Sequence, residues 1–223
     1  MHLEVLVEDL SGRRALEHIL PKILDPSVHS WRVIEYKGIG HIPKGLNPSS
    51  SPRHRILLDQ LPRLLKGYGK SLKSYGGDAA VVVVVDADRA NCTTLKAAMM
   101  AVLGRCRPPP QTKFRIAVEE MEAWYLGDLD AIAAAYPRHN RTALRNYEQD
   151  SVCGTWEVLA EAVHEGGAAA LTRQGYPLVG IAKSEWATRI GPAMNPARNR
   201  SPSFRTFAHG LRDLAGEPRL AFD

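Results

Sequence analysis

The sequence predicts an α/β protein with a parallel-sheet core and a helical elaboration in its carboxyl-terminal half. Three observations lead there. Residues 79–85 (AAVVVVV) form an uninterrupted apolar run rich in β-branched side chains, the pattern of a strand covered on both faces. Up to residue 118, strand-like and helix-like segments alternate, an order that needs crossover connections between parallel strands. Beyond Glu119 the strand signals stop and helical periodicities take over.

The first strand is predicted at residues 2–8, where Leu3, Val5 and Val7 alternate with His2, Glu4, Leu6 and Glu8. Leu16, Ile19, Leu20, Ile23 and Leu24 then follow helical spacing, with Asp9 or Ser11 as candidate cap and Asp25-Pro26 as the stop. A second strand is predicted at 31–36. Residues 37–52 (KGIGHIPKGLNPSSSP) are a long Gly/Pro/Ser loop carrying Lys37, His41 and Lys44, and loops of this length inside compact domains are often functional. Leu57, Leu61, Leu64 and Leu65 mark a further helix, which Pro62 interrupts awkwardly. After the valine run, Thr93 or Thr94 is expected to cap a helix bearing Leu95, Met99, Val102 and Leu103, and residues 114–118 read as the last strand. Helices are predicted at 120–126, 129–136, 156–163, 182–190 and 204–214. Residues 1–126 thus form the α/β core, with residues 127–223 packed on the same domain.

Of the 223 residues, 44% are hydrophobic and 24% charged, which excludes a wholly disordered chain. The longest apolar run has seven residues where a membrane helix needs about 20, so no membrane span is expected. Glu4, Glu8 and Asp9 interrupt the amino-terminal apolar stretch and argue against a signal peptide. The three cysteines show no paired spacing, so a reducing cytoplasm is the expected setting. The net charge is +5, and the basic excess is uneven: from Lys183 to Arg212 six Lys and Arg residues accompany one acid, Glu185. Such a stretch suits either a phosphate-facing surface or a solvated basic face.

Acidic groups stand at successive predicted strand ends: Glu8, then Asp86 and Asp88, then Glu119, Glu120 and Glu122. A parallel sheet brings its carboxyl ends to one edge, where open α/β folds place their sites. Asp86 and Asp88 would face the same way if the strand continued through them, and Glu119 and Glu122 would share a face if a helix began there. Oxygen-only ligands favour Mg²⁺ or Mn²⁺ over zinc. Taken singly, an acid after a strand is commonly a turn former or a helix cap, and Asp88 could cap the next helix. Their coincidence at one edge points to a metal site.

The run Val5-Leu6-Val7-Glu8, and the valines ending in Asp86-Ala87-Asp88-Arg89, resemble the TOPRIM (topoisomerase–primase) fold, a Rossmann-like core. In that family the glutamate and the Asp-x-Asp bind Mg²⁺ for phosphodiester chemistry. The segments AVEEMEAW (117–124), CGTWE (153–157), KSEWA (183–187) and NRSPSF (199–204) are similar to those of a bacterial TOPRIM-like family. That family is often paired with ABC-type ATPases and is related to the overcoming-lysogenization-defect nucleases. The resemblance implies a Mg²⁺- or Mn²⁺-dependent nuclease acting on DNA or RNA, in antiviral defence with a partner ATPase. It departs in one place: related nucleases carry a second glutamate where this chain has Gly12, which leaves a non-catalytic subunit as the alternative.

On this reading Glu8, Asp86 and Asp88 are the candidate catalytic metal ligands. Glu120 and Glu122 would complete the shell, and Lys183 would face the phosphate, as the resembling nucleases use a lysine. Lys37, Lys44, Arg198 and Arg200 are candidate nucleic-acid contacts, with Ser201 and Ser203 as part of a phosphate-binding corner. Trp124, Trp156, Trp186, Phe204 and Phe207 are expected to pack in the core. No glycine-rich phosphate loop is present, so the chain is not expected to bind ATP through one of its own.

Overall fold

A computed structural model describes residues 1–222. Its core is a four-stranded, all-parallel sheet in the order β2-β1-β3-β4, made of β1 (His2–Val7), β2 (Ser30–Glu35), β3 (Ala79–Asp86) and β4 (Thr112–Ala117). The crossovers contain α1 (Leu10–Ile23), α2 (Leu57–Ser71) and α3 (Cys92–Gly104). Together they give the expected Rossmann-like α/β core. Among the described residues seven α-helices follow: α4 (Glu122–Leu126), α5 (Leu129–Ala135), α6 (Arg141–Leu144), α7 (Thr155–Val163), α8 (Gly167–Gln174), α9 (Tyr176–Ile190) and α10 (Pro202–Ala215). Among the described residues, no helix is long and apolar enough to cross a membrane.

The valine run explains the layering. Val81, Val83 and Val85 point to one face, where they meet Leu57, Leu58, Leu61 and Leu65 of α2 and Met99 and Val102 of α3. Ala80, Val82 and Val84 point to the other, into a larger core with α1 and the helices that follow the sheet. Every side chain from Ala79 to Val85 is buried, as a central parallel strand requires. The larger core contains Trp124, Trp186, Phe204 and Phe207, so the helices after residue 126 share one apolar interior with β1, β3 and α1. Trp124 stacks on Phe207 at 4.7 Å between ring centroids and meets Phe204 edge-on. Trp156 is only half-buried at the margin of this core.

Several local expectations are corrected. Helix α2 runs through Pro62, because its buried leucine face and the packed proline ring outweigh one lost backbone bond. Asn91, not Thr93 or Thr94, caps α3 by accepting from the Thr94 N–H. Asp9 caps α1, accepting from the Gly12 N–H at 2.7 Å. Helix α4 begins at Glu122, two residues later than expected, because Glu119 turns the chain through the left-handed region at φ 59°. Helix α9 starts at Tyr176, with Pro177 tolerated in its first turn, where a backbone donor has no partner to lose. The short α6 and α8 carry too little periodicity to be legible beforehand.

Two glycines in α2 test the packing. A Cβ on Gly69 would lie 2.0 Å from the Pro108 carbonyl oxygen, whereas Gly67 faces open space. Gly69→Ala should therefore lower stability by about 2 kcal/mol or more, as overpacking against backbone does. Gly67→Ala should raise it by up to about 1 kcal/mol, because alanine restricts the unfolded chain. Paired urea denaturation curves would check both signs.

Candidate active site

Parallel pairing places Val7 opposite Val84, so Glu8 leaves β1 beside the end of β3, where Asp86 is the last strand residue. The Asp86 backbone N–H donates to Glu8 Oε2 at 3.3 Å, tying one carboxylate across the end of the neighbouring strand. Both groups are half-buried. Burial, and then the charges of Asp9 and Asp88, push the Glu8 carboxyl up to about 8, against the opposing Asp86 N–H and Lys183. Burial, and then the charges of Glu8 and Glu122, push Asp86 well above the ordinary carboxylate range. Glu122, buried in the first turn of α4, is pushed up to about 7 by burial, with Lys183 working against the shift.

Lys183 reaches this group from α9. Its ammonium lies 2.9 Å from Glu120 Oε1 and 3.3 Å from Glu122 Oε2. Burial alone would favour the neutral amine, but the charges of Glu122, Glu120 and Asp86 outweigh it and hold the ammonium protonated. The structure thus brings Glu8, Asp86, Glu120, Glu122 and Lys183 into one electrostatic unit.

Asp88 acts on this group only through its charge on Glu8. The strand ends at Asp86, and Asp88 is exposed, with φ 47° and its N–H donating to the Glu119 carbonyl at 2.7 Å. Asp86 and Asp88 therefore do not share an extended face, because the turn after β3 takes the second acid out of the pleat. Nor does Asp88 cap α3. Glu119 and Glu122 do not share a helical face either. The Glu119 carboxylate accepts from the N–H groups of Cys153, Gly154 and Thr155 at 3.2, 2.8 and 2.8 Å, holding the amino terminus of α7. Glu120 and Glu122 pair with Lys183, and among the described residues no group of three His, Cys, Asp or Glu side chains converges closely enough to hold a metal ion. Glu8 and Asp86 remain as an all-oxygen, half-buried pair at this edge, the kind of ligand that hard divalent cations take.

The position of Gly12 is closed to any side chain: a Cβ there would lie 2.6 Å from Val7 Cγ2 and 3.2 Å from Asp9 Oδ1. The acid that faces this part of the site is Asp9, whose charge acts on Glu8, Asp86 and Glu122.

The basic candidates do not gather at this edge. Lys37 and Lys44 are exposed on the loop before α2. Arg198 pairs with Asp128 at 2.9 Å and with Asp130 at 3.3 Å, while Arg200 is exposed. The serine corner already holds an anion of the protein. Asp150 accepts from Ser201 Oγ and from the Ser203 N–H, both at 2.6 Å. Ser201 caps α10, and Ser203 Oγ accepts from Trp124 Nε1 at 2.9 Å. Asp128 and Asp150 escaped notice in the sequence. An acid before the Leu129 periodicity is a cap signal that could have flagged Asp128, whereas nothing local marks Asp150. An open cavity of about 510 Å³ borders this group at Glu120 and is lined also by Asp88, Arg89, Glu119, Trp156 and Tyr176 among others.

The raised carboxyl pKa values predict the pH dependence of stability. A carboxyl with a higher pKa in the folded chain holds its proton more tightly there than when unfolded. Its contribution is fully present below its ordinary value and is lost as pH rises through the folded one. For Glu8 that window runs from 4.5 to about 8, and for Glu122 from 4.5 to about 7, at up to ~1.4 kcal/mol per pH unit and group. In chelator, the melting temperature should fall between pH 5 and 8, and Asp86→Asn should melt higher than wild type at pH 8. Calorimetric melts would read both, at about 2–4 °C for each kcal/mol.

No curated protein and no solved structure matches this chain. Residues 7–212 match the family model described as Domain of unknown function (DUF4276). That match takes in Glu8, Asp86, Glu122 and Lys183, together with all four strands of the sheet in whole or in part. The chain belongs to the DUF4276 family.

Proposed function

We propose that the protein is a Mg²⁺- or Mn²⁺-dependent nuclease of TOPRIM type, hydrolysing phosphodiester bonds in DNA or RNA. The observation that carries this reading is the half-buried pair of Glu8 and Asp86 at the carboxyl edge of a parallel sheet, with their mutual repulsion only partly offset by Lys183. A divalent cation held by this pair would supply charge neutralisation at the phosphate and activation of water. One or two carboxylates suffice for such an ion, since Mg²⁺ usually keeps waters and takes substrate phosphate oxygens as its other ligands. Asp9 and Glu122 add negative charge behind the pair. Lys183, held by Glu120 and Glu122, keeps a fixed positive charge where negative charge develops on a transferring phosphoryl group. A partner ABC-type ATPase and a role in antiviral defence belong to the same proposal.

The closed position at Gly12 favours a second reading, a non-catalytic subunit that docks on an ATPase or binds nucleic acid, because one acid of the resembling nucleases has no place here.

Titration calorimetry with Mn²⁺ separates the two. The nuclease reading expects saturable binding that Asp86→Asn abolishes, with the variant still folded, and cleavage of a DNA or RNA substrate that is lost with it. Absence of Mn²⁺ binding, alone and with a bound oligonucleotide, would leave the subunit reading. Lys183→Met should lower cleavage by about 10²-fold or more, as loss of a charge-stabilising group does, while Mn²⁺ binding persists.

A further inference from the structure

The helical half carries a basic groove distinct from the carboxylate edge. One cavity, of about 800 Å³, lies between the segment 136–140, the end of α7 and Arg189 of α9, and is lined by Arg138, His139 and His164 among others. A second, of about 620 Å³, shares His139 with it and is lined by Arg141 and Arg145 at the two ends of α6. A third, of about 360 Å³, shares Leu129 and Asp130 with the second and contains Arg200. The shared lining residues put the three cavities side by side on the surface.

The charge of this surface is uneven in a useful way. Its acids are largely engaged: Asp128 and Asp130 pair with Arg198, and Glu161 accepts from the Ala168 N–H at 3.0 Å, leaving Glu165. Arg189 pairs with Glu185 and lies 4.1 Å over the Tyr136 ring. Arg138, Arg141, Arg145 and Arg200 are exposed and, among the described residues, make no ion pair with a carboxylate. Four exposed arginines distributed over three adjoining cavities suit a ligand with negative charges repeated along its length, more than a single small anion can engage. Arginine is also the side chain best matched to phosphate oxygens.

We infer that this groove, rather than the Lys37/Lys44 loop, holds the phosphate backbone of a nucleic-acid strand. The inference rests on the nuclease or nucleic-acid-binding reading for the identity of the polyanion, while the groove itself is defined by charge and shape. It requires no metal.

The test is anisotropy binding of a labelled mixed-sequence single strand, as DNA and as RNA, to the full chain in EDTA across a salt series. The Arg141→Glu/Arg145→Glu double variant changes two exposed side chains and should keep the wild-type melting temperature and Mn²⁺ binding. Its affinity should fall at least about tenfold, and the slope of log affinity against log salt should drop by about 1.4, or ~0.7 for each lost phosphate contact. Lys37→Glu/Lys44→Glu should bind as wild type. The inference is overturned if wild type binds neither strand, if the arginine variant binds unchanged, or if the lysine variant loses as much. Loss of strand binding in the arginine variant, in a protein that takes up no Mn²⁺, would sustain the groove while removing the nuclease reading.

Discussion

The structure depends on the confinement of two carboxylates at the ends of adjacent parallel strands. β3 is apolar on both faces and must sit in the middle of the sheet, and β1 pairs beside it in register. That register brings Glu8 and Asp86 to neighbouring positions at the same edge, each partly shielded from water. Two like charges in such a place are costly, so other elements are arranged around them. The Asp86 N–H faces Glu8, and α9 supplies Lys183 from nearly a hundred residues away. The residual repulsion is the property from which metal binding would draw its free energy, since a cation removes a penalty already built into the fold.

The same economy of charge explains the helical half. Three carboxylates that might be taken for site residues are instead internal anions. Glu119 collects the free N–H groups at the start of α7, Asp150 those around the start of α10, and Asp128 caps α5 while holding Arg198. Each satisfies donors that a helix end would otherwise leave without partners. They attach the later helices to the sheet edge and so fix where Lys183 and the aromatic core come to rest. The wall that carries Glu120 and Trp156 and the wall that carries Asp88 are joined through Glu119, whose carbonyl accepts from Asp88 and whose carboxylate holds α7.

Much of this was legible in the residues alone, and the reason differs by element. The strands and the larger helices follow from periodicity, because burial imposes a period of two or 3.6 on any sequence that forms them. Glu8 and Asp86 could be singled out because a parallel sheet leaves little freedom about where its strand ends lie. Asp88 could not be placed, because the direction of its side chain depends on a left-handed turn that an aspartate only sometimes adopts. Glu119, Glu120 and Glu122 looked alike in sequence, yet one holds a helix end and two hold a lysine.

The sequence by itself determined the α/β class, the central place of β3 and the edge at which acids would gather, since these rest on local apolar patterning and on the geometry common to all parallel sheets. Only the tertiary structure decided which acids meet one another, which are spent on helix ends, that Asp9 rather than residue 12 faces the site, and that exposed arginines line adjoining cavities on the helical half. Those outcomes depend on contacts between segments far apart in the chain, and a pairing of that kind leaves no periodic trace in either segment.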